Sequence, residues 1–151
     1  MSTPDSTKNT AFGDGVVAGV DGSRNARAAL AWAADEATCR QCALHVLTAW
    51  TLPTPKTGGR AAPPSYVPEQ STYRDQARHL VEQEVRSVLG ETDSVSCSAL
   101  RGKPLSVLLE AGRNARMLVV GSSSTRLRVS SLSGQLVHQA PCPVLVVPGR
   151  D

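Results

Sequence analysis

Aromatic residues are scarce in this chain of 151 residues: two Trp, two Tyr and one Phe amount to 3%. The core must therefore be filled by Val, Leu and Ala, the palette of helices packed on a parallel sheet. Long apolar runs are also missing. No segment reaches the ~18 consecutive apolar residues that a membrane span needs. Residues 1–15, MSTPDSTKNTAFGDG, are polar and lack the apolar stretch of a secretory signal, so a cytoplasmic protein without a membrane partner is expected. Runs of one charge are absent too. Sixteen Lys and Arg against thirteen Asp and Glu give a mild +3, spread along the sequence, which argues against a nucleic-acid partner.

Further chemistries are disfavoured by what is missing around the reactive residue types. His45, His79 and His138 are scattered, with no clustered carboxylate or nucleophile for acid–base catalysis. Gly121-Ser-Ser-Ser124 lacks the G-x-S-x-G elbow of a hydrolase. The four cysteines, Cys39, Cys42, Cys97 and Cys142, fit reduced thiols better than a disulfide framework. Cys39-x-x-Cys42 has redox or half-zinc spacing, but it falls near a helix C-terminus, where the dipole raises a thiol pKa. No second pair completes a zinc site, so no metal ligands and no catalytic residues are assigned.

What is present reads as alternating strands and helices in one domain. Residues 1–14 are expected to form a disordered tail and 15–148 the folded unit. Val16 to Val20 is a short buried strand, Asp21-Gly22-Ser23 a turn, and Ser23 a helix cap. Ala26, Ala29, Leu30, Ala33, Ala34 and Ala37 give the next helix a small-residue face, ending near Arg40. A strand follows over Leu44 to Trp50. Thr51 to Glu69, with five prolines, is a surface loop. A helix over Gln70 to Leu89 carries apolar residues on one side and charged residues opposite, and Gly90 stops it. Val95 to Ala99 alternates as a half-buried edge strand, and Pro104 opens a helix from Leu105 to about Asn114.

The last forty residues organise the rest. Met117 to Val120 and Val144 to Val147 are apolar without alternation, as strands buried on both faces are, and Ser130 to Gln139 between them suits one short helix. Gly121 and a serine run follow directly on the first of these strands. In a right-handed strand–helix–strand crossover this loop sits at the strand's carboxyl end, where backbone N–H groups and a helix N-terminus favour an anion such as phosphate. The whole is a doubly wound, open, parallel α/β sheet of five strands with helices on both faces.

Val17 to Ser23, the Ala-rich helix after it, Leu44 to Trp50, Arg101-Gly-Lys-Pro104, Leu118 to Gly121 and above all Ala140-Pro-Cys-Pro-Val-Leu-Val-Val147 resemble the universal stress protein family. The resemblance runs from about Gly15 to Pro148. It implies strand order 3-2-1-4-5, a homodimer through the last strand, Val144 to Val147, and membership of a family with ATP-binding and non-binding branches. It also implies ATP, with magnesium as its companion, at the carboxyl ends of strands one and four. Asp21 would lie near ribose or a phosphate-bound cation, Ala49 would meet adenine through its backbone, and Val120, Gly121, Ser122 and Ser123 with Ser131, Leu132 and Ser133 would wrap the phosphates.

The family's binding pattern, Gly-x-x-Gly, nine residues, then Gly-Ser or Gly-Thr, is only partly kept. Gly121 matches the first glycine, Ser124 replaces the second, and alignment back from Ala140 puts Ser130-Ser131 at the Gly-Ser position with the loop four residues short. Serine approaches phosphate less closely than glycine, yet Ser122 to Thr125, the later serines, Arg126 and Arg128 offer hydroxyls and charge. Two functions stay open: a dimeric stress-response module that binds ATP, with at most slow hydrolysis, and a dimeric interaction or regulatory module for an unknown protein partner that has lost ATP binding.

Overall fold

The computed structural model describes residues 14–53, 69–122 and 131–149. Five strands and four helices alternate: β1 (Val16–Gly19), α1 (Arg24–Arg40), β2 (Leu44–Trp50), α2 (Gln70–Leu89), β3 (Ser96–Arg101), α3 (Pro104–Gly112), β4 (Met117–Gly121), α4 (Leu132–Gln139) and β5 (Val144–Val147). All pairings are parallel, and the sheet order is β3-β2-β1-β4-β5, as expected.

Alternation along each strand divides the core in two. Val16, Ala18, Val46 and Val119 face α1 and α2, while Val17, Leu47, Leu118 and Val120 face α3 and α4. Both sets are buried, which is why the strands read as unbroken apolar runs. The alanine face of α1, with Ala26, Ala29, Ala33 and Ala37 at 5% exposure or less, lets that helix lie close on β1 and β4.

Several boundaries differ from the sequence reading by one or two residues, among them β1, which ends at Gly19, and β4, which ends at Gly121. β3 runs to Arg101 because it pairs residue for residue with β2, ending at Trp50 opposite Arg101. α3 begins at Pro104 and stops at Gly112, not near Asn114. α4 begins at Leu132 because the Ser131 hydroxyl accepts the Gly134 N–H at 3.1 Å, making Ser131 the cap. The expected tail and the proline-rich loop lie outside the described residues, apart from their margins. Asp14 at one margin donates its N–H to the Asn114 carbonyl, and its carboxylate meets Arg116 at 3.2 Å.

α1 ends in a hydrogen-bond pattern that glycine usually serves. The N–H groups of Gln41 and Cys42 donate to the carbonyls of Thr38 and Ala37, and Gln41 adopts φ 53° and ψ 48°. This left-handed conformation costs a residue with a β-carbon more than it costs glycine. Gln41→Gly is expected to raise stability by about 0.5–1 kcal/mol. Urea denaturation checks this: a lowered midpoint would contradict it.

Candidate functional site

The site is built where β1, β2 and β4 end. Asp21-Gly22-Ser23 leaves β1 in a turn: Gly22 has φ +86°, the Asp21 carboxylate accepts the Ser23 N–H at 2.9 Å, and the Ser23 hydroxyl accepts the Ala26 N–H at 3.2 Å to cap α1. On the neighbouring strand, Gly121 lies directly against the first turn of α1. A β-carbon there would stand 2.6–2.8 Å from backbone atoms of Asn25 and Ala26, so this close approach requires glycine. The next residue is held on both sides. Ser122 donates its N–H to the Val147 carbonyl at 2.9 Å and accepts the Asn25 side-chain amide on its own carbonyl at 2.7 Å.

These elements enclose a cavity of about 240 Å³. Its walls are mostly apolar, from Val20, Leu47, Leu108, Val120 and Leu132, with Asp21 at the exposed rim and Thr48, Ser122 and Ser133 as polar contributors. Ser133 is 2% exposed, and its hydroxyl lies 3.4 Å from that of Ser131. Of the residues named from sequence, Asp21, Ala49, Val120, Gly121, Ser122, Leu132 and Ser133 line this one cavity. Ser131 does not line it and acts as the α4 cap. Ser123 lies outside the described residues, as do Ser124, Ser130, Arg126 and Arg128.

Sequence reasoning missed the remaining walls: Gly19, Val20, Ser23 and Ala26, then Leu47 and Thr48, and Pro104 with Leu108 also line the cavity. Pro104 and Leu108 come from α3, whose placement over β1 and β2 depends on the sheet order rather than on any local pattern. A second miss is Glu84. The reading of α2 put charge opposite its apolar side, yet Glu84 is 5% exposed on the buried side, three residues after Val81 and one before Val85. Its carboxylate stands 3.7 Å from the Arg27 guanidinium on α1, and one of its oxygens lies 4.0 Å from where a Gly22 β-carbon would be. A charged residue in an apolar slot of the helical repeat was the available signal.

The reactive side chains elsewhere do not assemble. Cys42 packs on the core while Cys39 is exposed, so the two thiols of Cys39-x-x-Cys42 point in different directions, and all four cysteines are free. Burial pushes the thiols of Cys97 and Cys142 up from their ordinary pKa and pulls His45 down. Among the described residues no three His, Cys, Asp or Glu side chains cluster as a metal cage, and no helix is long and apolar enough to cross a membrane.

Comparison with known proteins agrees with this architecture. A universal stress protein of Mycobacterium tuberculosis is 35% identical over 138 residues, covering 87% of this chain and 47% of its own length. Such curated relatives are longer: the chain spans about half the length of those it matches. Among solved structures, a universal stress protein in complex with cAMP superposes with a TM-score of 0.68 at 19% identity, covering 93% of this chain and all of that one. A universal stress protein from Archaeoglobus fulgidus in complex with dAMP gives a TM-score of 0.61 at 22% identity, over 90% and 98% of the two chains. The model of the universal stress protein family matches residues 14–148, and the chain belongs to that family.

Proposed function

We propose that this protein is a cytoplasmic stress-response module that binds an adenine nucleotide, ATP included, at the carboxyl ends of β1 and β4. The observation that carries this reading is the cavity itself: it lies where the sheet's connections part to opposite faces, the place where open α/β sheets take ligands. The complexes of family members with cAMP and dAMP support the same ligand class. In the proposed pose the apolar walls and the backbone around Ala49 receive the base, Asp21 accepts a ribose hydroxyl or faces a phosphate-bound cation, and the first turn of α4 with Ser122 and Ser133 receives phosphate. Asp21 supplies the one carboxylate in the described walls, so magnesium would arrive with the phosphates and keep most of its waters.

Calorimetric titration of nucleotide-stripped protein with ATP and magnesium tests this, with Asp21→Ala as the control. Binding is expected, and the variant should be weaker by roughly tenfold or more, the loss of one hydrogen bond to a charged group. Absence of heat at millimolar ATP would favour the second reading. That reading rests on the serines at 124 and 130 and the shortened loop: a dimer acting through its surface on a protein partner.

A further inference from the structure

We infer that the Thr48 hydroxyl is a ligand contact, hydrogen-bonded to the polar edge of the base, and that Thr48 thereby sets which rings the apolar end of the cavity accepts. This rests on the nucleotide reading above. Thr48 lies in β2 between Leu47 and Ala49, is 5% exposed, and lines the cavity together with both neighbours. Its place is rigid. The Leu47 carbonyl accepts the Val20 N–H at 2.9 Å on one side, and Thr48 stands opposite Ala99 of β3 on the other. Branching at the β-carbon restricts the side chain further, so the hydroxyl has few directions open to it.

A buried position in an interior strand calls for valine, which has nearly the same shape and no polar side-chain atom. The hydroxyl found there instead needs a partner, because buried polar groups are as a rule hydrogen-bonded. Three other polar side chains of the cavity have theirs within the protein: the Ser23 hydroxyl accepts the Ala26 N–H, the Asp21 carboxylate accepts the Ser23 N–H, and the Ser133 hydroxyl lies 3.4 Å from that of Ser131. Among the described residues Thr48 stands out, because its hydroxyl meets no hydrogen-bond partner in the protein. Nor is it sealed into the core as Trp50 Nε1 and Glu84 Oε1 are, so the open space it reaches is the cavity that Thr48 lines. Water serves such a group in a free protein, and a ligand that displaces the water keeps its affinity only by replacing the bond. Val20, Leu47, Ala49 and Leu108 make the surroundings apolar, while Asp21 stands at the exposed rim, which suits a base inside and leaves charged groups to the polar end. A hydroxyl both donates and accepts, so it pairs with a ring nitrogen or with an exocyclic amine. What it rejects is an apolar ring of the same shape, which would leave it unpaired.

The test compares the full chain with its Thr48→Val and Thr48→Ser variants in calorimetric titrations with ATP, and with adenosine measured by its displacement of ATP, beside the melting temperature of each ligand-free protein. Thr48→Val is expected to weaken ATP and adenosine by the same factor, roughly three- to tenfold, the loss of one neutral hydrogen bond. Its melting temperature should nevertheless equal or exceed that of wild type, since valine fills the same space without a polar atom. Thr48→Ser should show the reverse, losing stability with its methyl group yet binding ATP within about twofold of wild type. A merely structural threonine would not give that opposition. Unchanged affinity in Thr48→Val overturns the inference and leaves the nucleotide reading standing. Affinity and melting temperature falling together in Thr48→Val, or Thr48→Ser binding as weakly as Thr48→Val, overturns it in favour of packing. A loss confined to ATP, or no displacement by adenosine, overturns the base contact. Absence of ATP binding by wild type at millimolar concentration overturns the nucleotide reading and this inference with it.

Discussion

Gly121→Ala is expected to destabilise the protein by about 3 kcal/mol, the upper part of the cost of forcing a methyl group into a packed site. For a chain of this size that corresponds to a fall of roughly 6–12 °C in melting temperature. The magnitude follows from what the new methyl would meet: the Asn25 carbonyl carbon and oxygen and the Ala26 nitrogen, all main-chain atoms at 2.6–2.8 Å. No rotamer change relieves that collision. α1 must move as a body, and with it the Asp21 turn and the cap formed by Ser23. Nucleotide affinity should therefore fall together with stability.

Gly149→Ala provides a contrast, because there the new methyl would strike the Asn25 side-chain amide rather than backbone. Trimming Asn25 to Ala should relieve the Gly149 variant and leave the Gly121 variant unrelieved, a difference that a double-mutant cycle measures. Scanning calorimetry on the single variant settles the main point. A melting temperature within a degree of wild type would mean that α1 is not seated on β4 as described.

Val146→Pro is expected to convert a dimer into a monomer while leaving the fold intact. β5 is a sheet edge whose Val144, Leu145 and Val146 are only partly buried, and Val137 on the adjacent α4 is 54% exposed. An apolar edge of this kind is a template for pairing with a second chain, and we propose that it pairs with its own copy. The inner hydrogen bonds identify which residues would do so. Leu118 and Ser122 donate to the carbonyls of Pro143 and Val147, so in a parallel ladder the alternate residues, Val144 and Val146, turn their backbone groups outward. Proline at 146 removes an outward N–H and spares the bonds to β4. A charge at Val146 would be less informative, because that side chain packs on the α3 and α4 side of the core. Sedimentation equilibrium decides the matter: a monomeric wild type, or a variant that stays dimeric, would reject the edge as the interface.

The fold was legible in this sequence because each element carries its own signal. Val144 to Val147 announces a strand by unbroken apolar content and Leu44 to Trp50 by a largely apolar run broken at His45 and Thr48, and observed and expected bounds coincide. Ser23, Pro104 and Gly90 mark helix ends through side-chain capping, a fixed φ and a left-handed φ of 82°, all local effects. The site was legible only where it depends on strand ends, which sequence order and crossover handedness bring together. Asn25 shows the limit: its amide reaches the Ser122 carbonyl 97 residues away, and nothing in Arg24-Asn25-Ala26 distinguishes it from an ordinary helix surface. Glu84 shows another. Its slot in the helical repeat marks it as buried, but its partner Arg27 lies on the neighbouring helix, a pairing between elements that no periodicity encodes.

The cavity draws its described walls from residues 19–26, 47–49, 104–108, 120–122 and 132–133, far apart in the chain and joined only through the order in which the strands are laid down. No contiguous fragment holds a complete site. A chain severed between residues 53 and 69 would yield one piece with the Asp21 turn and β2, and another with the β4 end and α4, each carrying half of the walls. Ligand capture would then appear only on reassembly, and bound nucleotide would draw the two pieces together by mass action. Because β1 stands at the centre of the sheet with its partners β2 and β4 contributed from either side of that cut, occupancy reports whether the chain has completed its longest-range pairing.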